Sequence, residues 1–363
     1  MIPIAKPAIG REEIDAVVSA LKSGVLAQGG RAEEFELAFA QFIGAKYAVA
    51  VSSGTAALHL ALLSHAIGAG DEVITTPFTF VATANSILLA GARPVFADIE
   101  DHYFSIAPDS IRRKISSRTK AIIPVHLYGH PVDMKAIIDL AQEHGLVIIE
   151  DACQAHGATF NNQKVGSFST GCFSFYPTKN MTTGEGGMIT TNSEDITQRA
   201  RMIRNHGFSQ RYSCEILGSN MRMNELSAAL GLAQLLKLPA SNQKRQDNAA
   251  YLSQKLSGIR GIELPKVKQG CQHVFHQYTI RVTEESKISR DELSRILKEK
   301  GIGYGIYYPI PIHKQPFYRK LGYDDVLPVA EKIAQQVISL PIHPGVTRQE
   351  LGIIAKVMKE VLQ

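Results

Sequence analysis

The sequence predicts an α/β protein: a mostly parallel mixed sheet flanked by helices, followed by a smaller C-terminal α+β unit. Three observations carry this. Short apolar runs such as Tyr47–Val51, Ala121–Val125 and Leu146–Glu150 are continuous rather than alternating, as in strands covered on both faces. They alternate with helical patterns, the order that builds βαβ units. The length of 363 residues exceeds one small core and suits two domains.

The elements follow in order. Glu12 and Glu13 open an amphipathic helix whose face carries Ile14, Val17, Val18 and Leu21, and Gly24 stops it. Tyr47–Val51 reads as a strand and Ala56–Ser64 as the helix after it. Glu72–Thr75, Pro94–Ala97, Ala121–Val125 and Leu146–Glu150 are further strands, with helices at Val81–Leu89 and Met134–His144. Cys172–Phe175 and Met188–Thr190 are short strands around the polar loop Pro177–Gly187. A long helical region starts at Asn224, and Pro239 is expected to interrupt it. Beyond it come a strand at His276–Val282, a helix opened by the capping box Ser289-Arg290-Asp291-Glu292, a strand at Gly303–Tyr308 and a last helix near Thr347. The domains are expected to be 1–240 and 241–363.

A net charge of +5 over this length is mild, and no basic tract is interleaved with aromatics, so nucleic acid is not an expected partner. The four cysteines show no CxxC pair and read as reduced thiols of a reducing compartment. No signal peptide and no membrane span are read, which predicts a cytoplasmic protein. The twelve histidines form no ligand cluster, so no metal is expected. No GxGxxG after a strand, GxxxxGK[ST], GxSxG or HExxH is present.

Several segments can carry chemistry. Ser53-Gly54-Thr55 joins a strand to a helix N-terminus, where free N–H groups and the helix dipole favour phosphate, or it is a plain cap. Asp151 ends an apolar strand, where α/β proteins place ligands. It would keep a pyridine nitrogen protonated, or it caps a helix. Lys179 lies in a loop rich in Ser, Thr and Gly between two apolar strands. A lysine that bonds an aldehyde needs a depressed pKa; a solvated surface lysine does not. Ser174 could hydrogen-bond a phosphate. Phe80 could stack on a flat ring or belong to the core. Arg199, Arg201, Arg204 and Arg211 make a basic stretch, either a solvated face or a diphosphate contact. Asn220 and Arg222 alternate with Met before the long helix.

Taken in order, these segments resemble the DegT/DnrJ/EryC1/StrS family of sugar aminotransferases, of the aspartate-aminotransferase fold type. The likeness begins at Ile4-Ala5-Lys6-Pro7. It runs through Ser53-Gly54-Thr55, Glu150-Asp151-Ala152-Cys153-Gln154 and Ser174-Phe175-Tyr176-Pro177-Thr178-Lys179-Asn180, and on to Pro311-Ile312-His313. The resemblance implies pyridoxal 5'-phosphate as cofactor, held covalently by Lys179. It implies Asp151 at the ring nitrogen, Gln154 at the ring hydroxyl, Phe80 on the ring face, and Gly54, Thr55 and Ser174 on the phosphate. By the same resemblance Asn220 reaches the phosphate of a neighbouring subunit in a homodimer, and His313, Arg222 and Lys6 contact substrate. The implied reaction moves an amino group from L-glutamate to a nucleotide-linked keto-sugar. Cys153 departs from the Ala of many relatives. A sugar dehydratase of the same superfamily is the alternative, and such enzymes carry His in place of the lysine. A non-catalytic relative is a third reading.

Overall fold

The computed structural model describes residues 1–363. Seven strands form the central sheet, in the order Tyr47–Val51, Gly187–Thr191, Thr170–Ser174, Val147–Asp151, Thr119–Ile123, Glu72–Thr75, Arg93–Phe96. All run parallel except Gly187–Thr191, which is antiparallel to both neighbours. Most residues of these strands are buried, as continuous apolar runs require when helices cover both faces, and the edge strand Arg93–Phe96 is half-buried. The carboxyl ends of Tyr47–Val51, Val147–Asp151 and Thr170–Ser174 therefore point the same way, and the connections after them meet along one edge.

Each connection has a local cause. Ser53 caps the helix Gly54–Ser64, its hydroxyl accepting from the Ala56 N–H at 3.1 Å. Asp133 caps Met134–His144 in the same way at 3.2 Å, and Gly145 ends it in the left-handed region at φ 65°.

A second sheet of three antiparallel strands, Ile262–Glu263, Tyr278–Val282 and Val337–Leu340, belongs to the C-terminal part. Its core runs from Ala249 to Leu362 and takes in Ile2, which pairs with Ile302.

Several expectations need correction. The helix from Glu225 to Leu256 runs unbroken through Pro239, an exposed position. Gly303–Tyr308 is not a strand: only Gly305 pairs, with Ser339 of the strand Val337–Leu340. The apolar face of the first helix, Arg11–Lys22, points outward, with Ile14, Val18 and Leu21 exposed. Glu13 turns inward instead, accepting from Gly10 N–H at 2.7 Å, Gln234 at 2.8 Å and Lys237 at 2.9 Å. The helix Gly30–Ile43 was not anticipated. No helix is long and apolar enough to cross a membrane.

Candidate active site

The carboxyl edge of the sheet opens into a cavity of about 430 Å³. One wall is the turn into the helix Gly54–Ser64. A Cβ at Gly54 would lie 2.6 Å from Ser174 Cβ and 3.1 Å from Cys153 Sγ. Only glycine brings this helix N-terminus so close to the strand end that carries Ser174. Free N–H groups and a serine hydroxyl then face one space, a ready phosphate cradle.

The strand Val147–Asp151 delivers two adjacent carboxylates to opposite duties. Glu150 is fully buried and accepts from the N–H groups of Gly166, Phe168 and Ser169 at 2.7, 3.0 and 2.9 Å. It also meets His126 at 3.2 Å. It holds the chain together. Asp151 faces the cavity, 5% exposed, with Oδ2 accepting from the Thr83 hydroxyl at 2.7 Å and Oδ1 from the Cys153 N–H at 3.2 Å. These bonds fix the carboxylate and leave it acceptor capacity for a ligand.

Lys179 sits on the loop between Thr170–Ser174 and Gly187–Thr191. The loop closes on its own strand: Thr183 N–H and the Thr182 hydroxyl both donate to Phe175 O, at 3.0 and 2.9 Å. Lys179 is half-buried because part of its side chain faces the cavity. Burial of the amine holds its pKa below the usual lysine value, against the opposing pull of Cys153 and Asp151. A lowered pKa eases loss of the proton, which nucleophilic attack on an aldehyde needs. Burial also pushes the Cys153 thiol up, so it stays protonated and packs rather than reacts.

Gln154 is clamped. Its Oε1 accepts from the Tyr128 N–H at 2.9 Å and its Nε2 donates to the Tyr308 hydroxyl at 3.2 Å. Phe80 lies at the mouth, 55% exposed, its centroid 6.1 Å from that of Tyr308. An exposed aromatic at a cavity rim offers a face for a flat ligand.

The structure thus gathers Gly54, Thr55, Phe80, Asp151, Gln154, Ser174 and Lys179 in one cavity. It does not bring Asn220, Arg222, Lys6 or His313 there. Arg222 bonds Asn205 and lines a separate groove with Arg201 and Arg204. Asn220 and Lys6 are exposed. His313 is fully buried, 3.1 Å from Glu331. Sequence reasoning gave no role to Thr83, Tyr308, His276 or Gln277, which also line the cavity. Thr83 lies inside the helix read at Val81–Leu89, and Tyr308 was hidden in a run read as a strand.

A parallel-edge cavity with a desolvated lysine, an oriented carboxylate and a helix-end anion cradle defines a lysine-dependent α/β enzyme. The family follows from comparison: residues 7–359 match the DegT/DnrJ/EryC1/StrS aminotransferase family, and the chain belongs to it. Among relatives, the UDP-N-acetyl-3-dehydro-alpha-D-glucosamine 3-aminotransferase of Acidithiobacillus ferrooxidans is 43% identical over 94% of this chain and 90% of its own. The GDP-perosamine synthase of Caulobacter vibrioides is 38% identical over 99% and 98%. The crystal structure of NtdA from Bacillus subtilis, with the cofactor PMP bound, superposes with a TM-score of 0.90 at 32% identity, covering 97% of this chain and 82% of that one.

Proposed function

We propose that the protein is a pyridoxal-phosphate-dependent aminotransferase that transfers the amino group of L-glutamate to a keto group of a nucleotide-diphosphate-linked 6-deoxy sugar. The observation that carries the reading is the convergence of Lys179, Asp151 and the Gly54–Ser174 cradle on one cavity.

The residues fit the cofactor. Ser53, Gly54, Thr55 and Ser174 would hold its phosphate, Asp151 its ring nitrogen, Gln154 its ring oxygen and Phe80 its face. When bound, pyridoxal phosphate supplies an aldehyde for covalent attachment and a protonated ring that withdraws electrons. The remaining work belongs to the chain. The Lys179 amine, its pKa lowered by burial, would take the proton from the donor's α-carbon and return it to the carbon on the far side of the imine nitrogen. The Thr83 and Cys153 bonds hold the Asp151 carboxylate in one orientation, from which it would pair with the ring nitrogen. Two half-reactions of opposite direction make the kinetics ping-pong.

The active unit is a homodimer with shared sites. Lys179 is the one cationic side chain of the cavity, beside Asp151 and Glu185, whereas donor and acceptor bring carboxylates and a diphosphate. Further cations must come from outside, and the partner's Arg222 and Lys6 are the candidates, with Asn220 on the phosphate. The exposed stripe Ile14, Val18, Leu21 and the hairpin tip at Tyr212, 80% exposed, offer surfaces for a second copy. The chain divides near residue 240, within the long helix, into cofactor-binding and C-terminal domains. Four free cysteines fit a cytoplasmic setting.

The test mixes enzyme and glutamate and measures 2-oxoglutarate, then offers UDP-, GDP- and dTDP-linked keto-sugars and reads product mass. One equivalent of 2-oxoglutarate per site, followed by an amino-sugar product, supports the reading. No 2-oxoglutarate from cofactor-loaded protein refutes it.

A further inference from the structure

The residue after Lys179 has no part in the reaction as described, yet its side chain is 7% exposed and both hydrogens of its amide nitrogen are engaged, while its Oδ1 has no partner. Asn180 Nδ2 donates to Asn242 Oδ1 at 2.8 Å and to the Val274 carbonyl at 3.0 Å. Asn242 lies midway along the helix Glu225–Leu256, and its own Nδ2 donates to the His156 carbonyl at 2.8 Å. Gly157, at φ 83°, leaves room for that contact: a Cβ there would lie 3.2 Å from Asn242 Nδ2. Val274 is pinned in turn, its N–H donating to Gly129 O at 3.0 Å. His276 and Gln277, just beyond it, line the cavity.

One buried amide therefore ties the lysine's neighbour to the long helix, to the turn after the Asp151 strand and to the wall that leads into the C-terminal sheet. The other bonds of the loop close it on its own strand, apart from a 3.4 Å bond from Thr182 N–H to Gln234. We propose that Asn180 is a positioning residue: through Asn242 and Val274 it sets the height and direction of the Lys179 amine within the cavity. The inference rests on Lys179 being the cofactor lysine. It assigns Asn180 no contact with substrate. Small errors in such placement are expensive, since about 1 Å of misplacement costs on the order of 100-fold in rate.

The experiment compares the cofactor-loaded enzyme with Asn180→Ala and Asn242→Ala, which share the loss of the Asn180–Asn242 bond and each lose one bond more. Both variants should keep the borohydride-reducible label on Lys179. The pH at which the visible band of the lysine-bound cofactor titrates should move by about half a unit or more. The single-turnover rate with glutamate should fall at least about tenfold, with KM much less affected. The double variant should lose less than the two single losses combined, because the shared bond is counted in both, beside the Val274 bond lost with Asn180 and the His156 bond lost with Asn242. If Asn180→Ala does not fold, Asn242→Ala carries the test alone. An unchanged titration midpoint and rate in a folded variant, even one with a lower melting temperature, would overturn the proposal and leave a merely structural amide. Failure of the underlying reading looks different: the unaltered enzyme would show no label on Lys179.

Discussion

Gly54→Ala tests the cradle with one methyl group. The backbone there tolerates alanine, so the effect is steric. The new carbon would sit 2.6 Å from Ser174 Cβ and 3.2 Å from Ser174 Cα, and 3.1 Å from Cys153 Sγ. Carbon pairs rest at about 3.5–4.0 Å, so the helix end must withdraw by about 1 Å. Ser174 cannot give way easily, because its strand is paired on both sides in the middle of the sheet. Overpacking of this kind costs about 1–3 kcal/mol and should lower Tm by a few degrees. The larger effect falls on the phosphate. Losing one charge-assisted hydrogen bond, worth about 1.5–3 kcal/mol, weakens cofactor affinity by roughly 10- to 100-fold. Titration of the apo-protein with pyridoxal phosphate, beside a thermal melt, measures both. A folded variant with cofactor Kd within twofold of the unaltered protein would refute the cradle.

Other predictions bear on separate parts of the account. Asp151→Asn keeps the shape but removes the charge, so the half-reaction with glutamate should slow by on the order of 100-fold while Lys179 still takes the label. Coexpressed Lys179→Ala and Asn220→Ala subunits should regain about a quarter of full activity, since half of the dimers are hybrids with one intact site; activity no greater than that of either variant alone would count against shared sites. Stability should fall in acid. Burial holds His65 and His130 down to about 4, with Arg199 adding to the effect at His65, and holds His156 down to about 3. The unfolded chain takes up these protons near pH 6.5 and the folded chain refuses them. Stability from these groups is therefore full above pH 6.5 and is lost as pH falls toward 4, by about 2 kcal/mol per histidine at pH 5. Urea unfolding at pH 7 and pH 5 measures this, and His65→Gln should shrink the difference by about that amount.

Much of the fold was legible because its causes are local. Continuous apolar runs marked the central strands to within two residues at each end, and Ser289 announced its helix. What stayed hidden depends on distant partners. The helix Gly30–Ile43 has no side-chain cap of its own. Glu225, far along the chain, accepts from the N–H groups of Gly29, Arg31 and Ala32 at 2.9, 3.0 and 2.9 Å and starts it. Periodicity located the apolar stripe of the first helix but could not tell what covers it.

The site divides in the same way. Asp151, Ser174 and Lys179 end or follow apolar strands, and such positions announce themselves. Tyr308 and His276 reach the cavity only because the C-terminal segments fold back over the sheet edge, a consequence of tertiary packing. The four residues outside the cavity, Lys6, Asn220, Arg222 and His313, rested on family likeness, and a single chain does not bring them to it.

The central claim is that Lys179 bonds the cofactor covalently. Borohydride reduction of the pyridoxal-phosphate-loaded protein, followed by proteolysis and peptide mass measurement, examines that bond directly. The account predicts one phosphopyridoxyl group per chain, on the peptide containing Lys179, and none in Lys179→Ala, which should also have lost turnover. A label on another lysine, or full activity in Lys179→Ala, would contradict it.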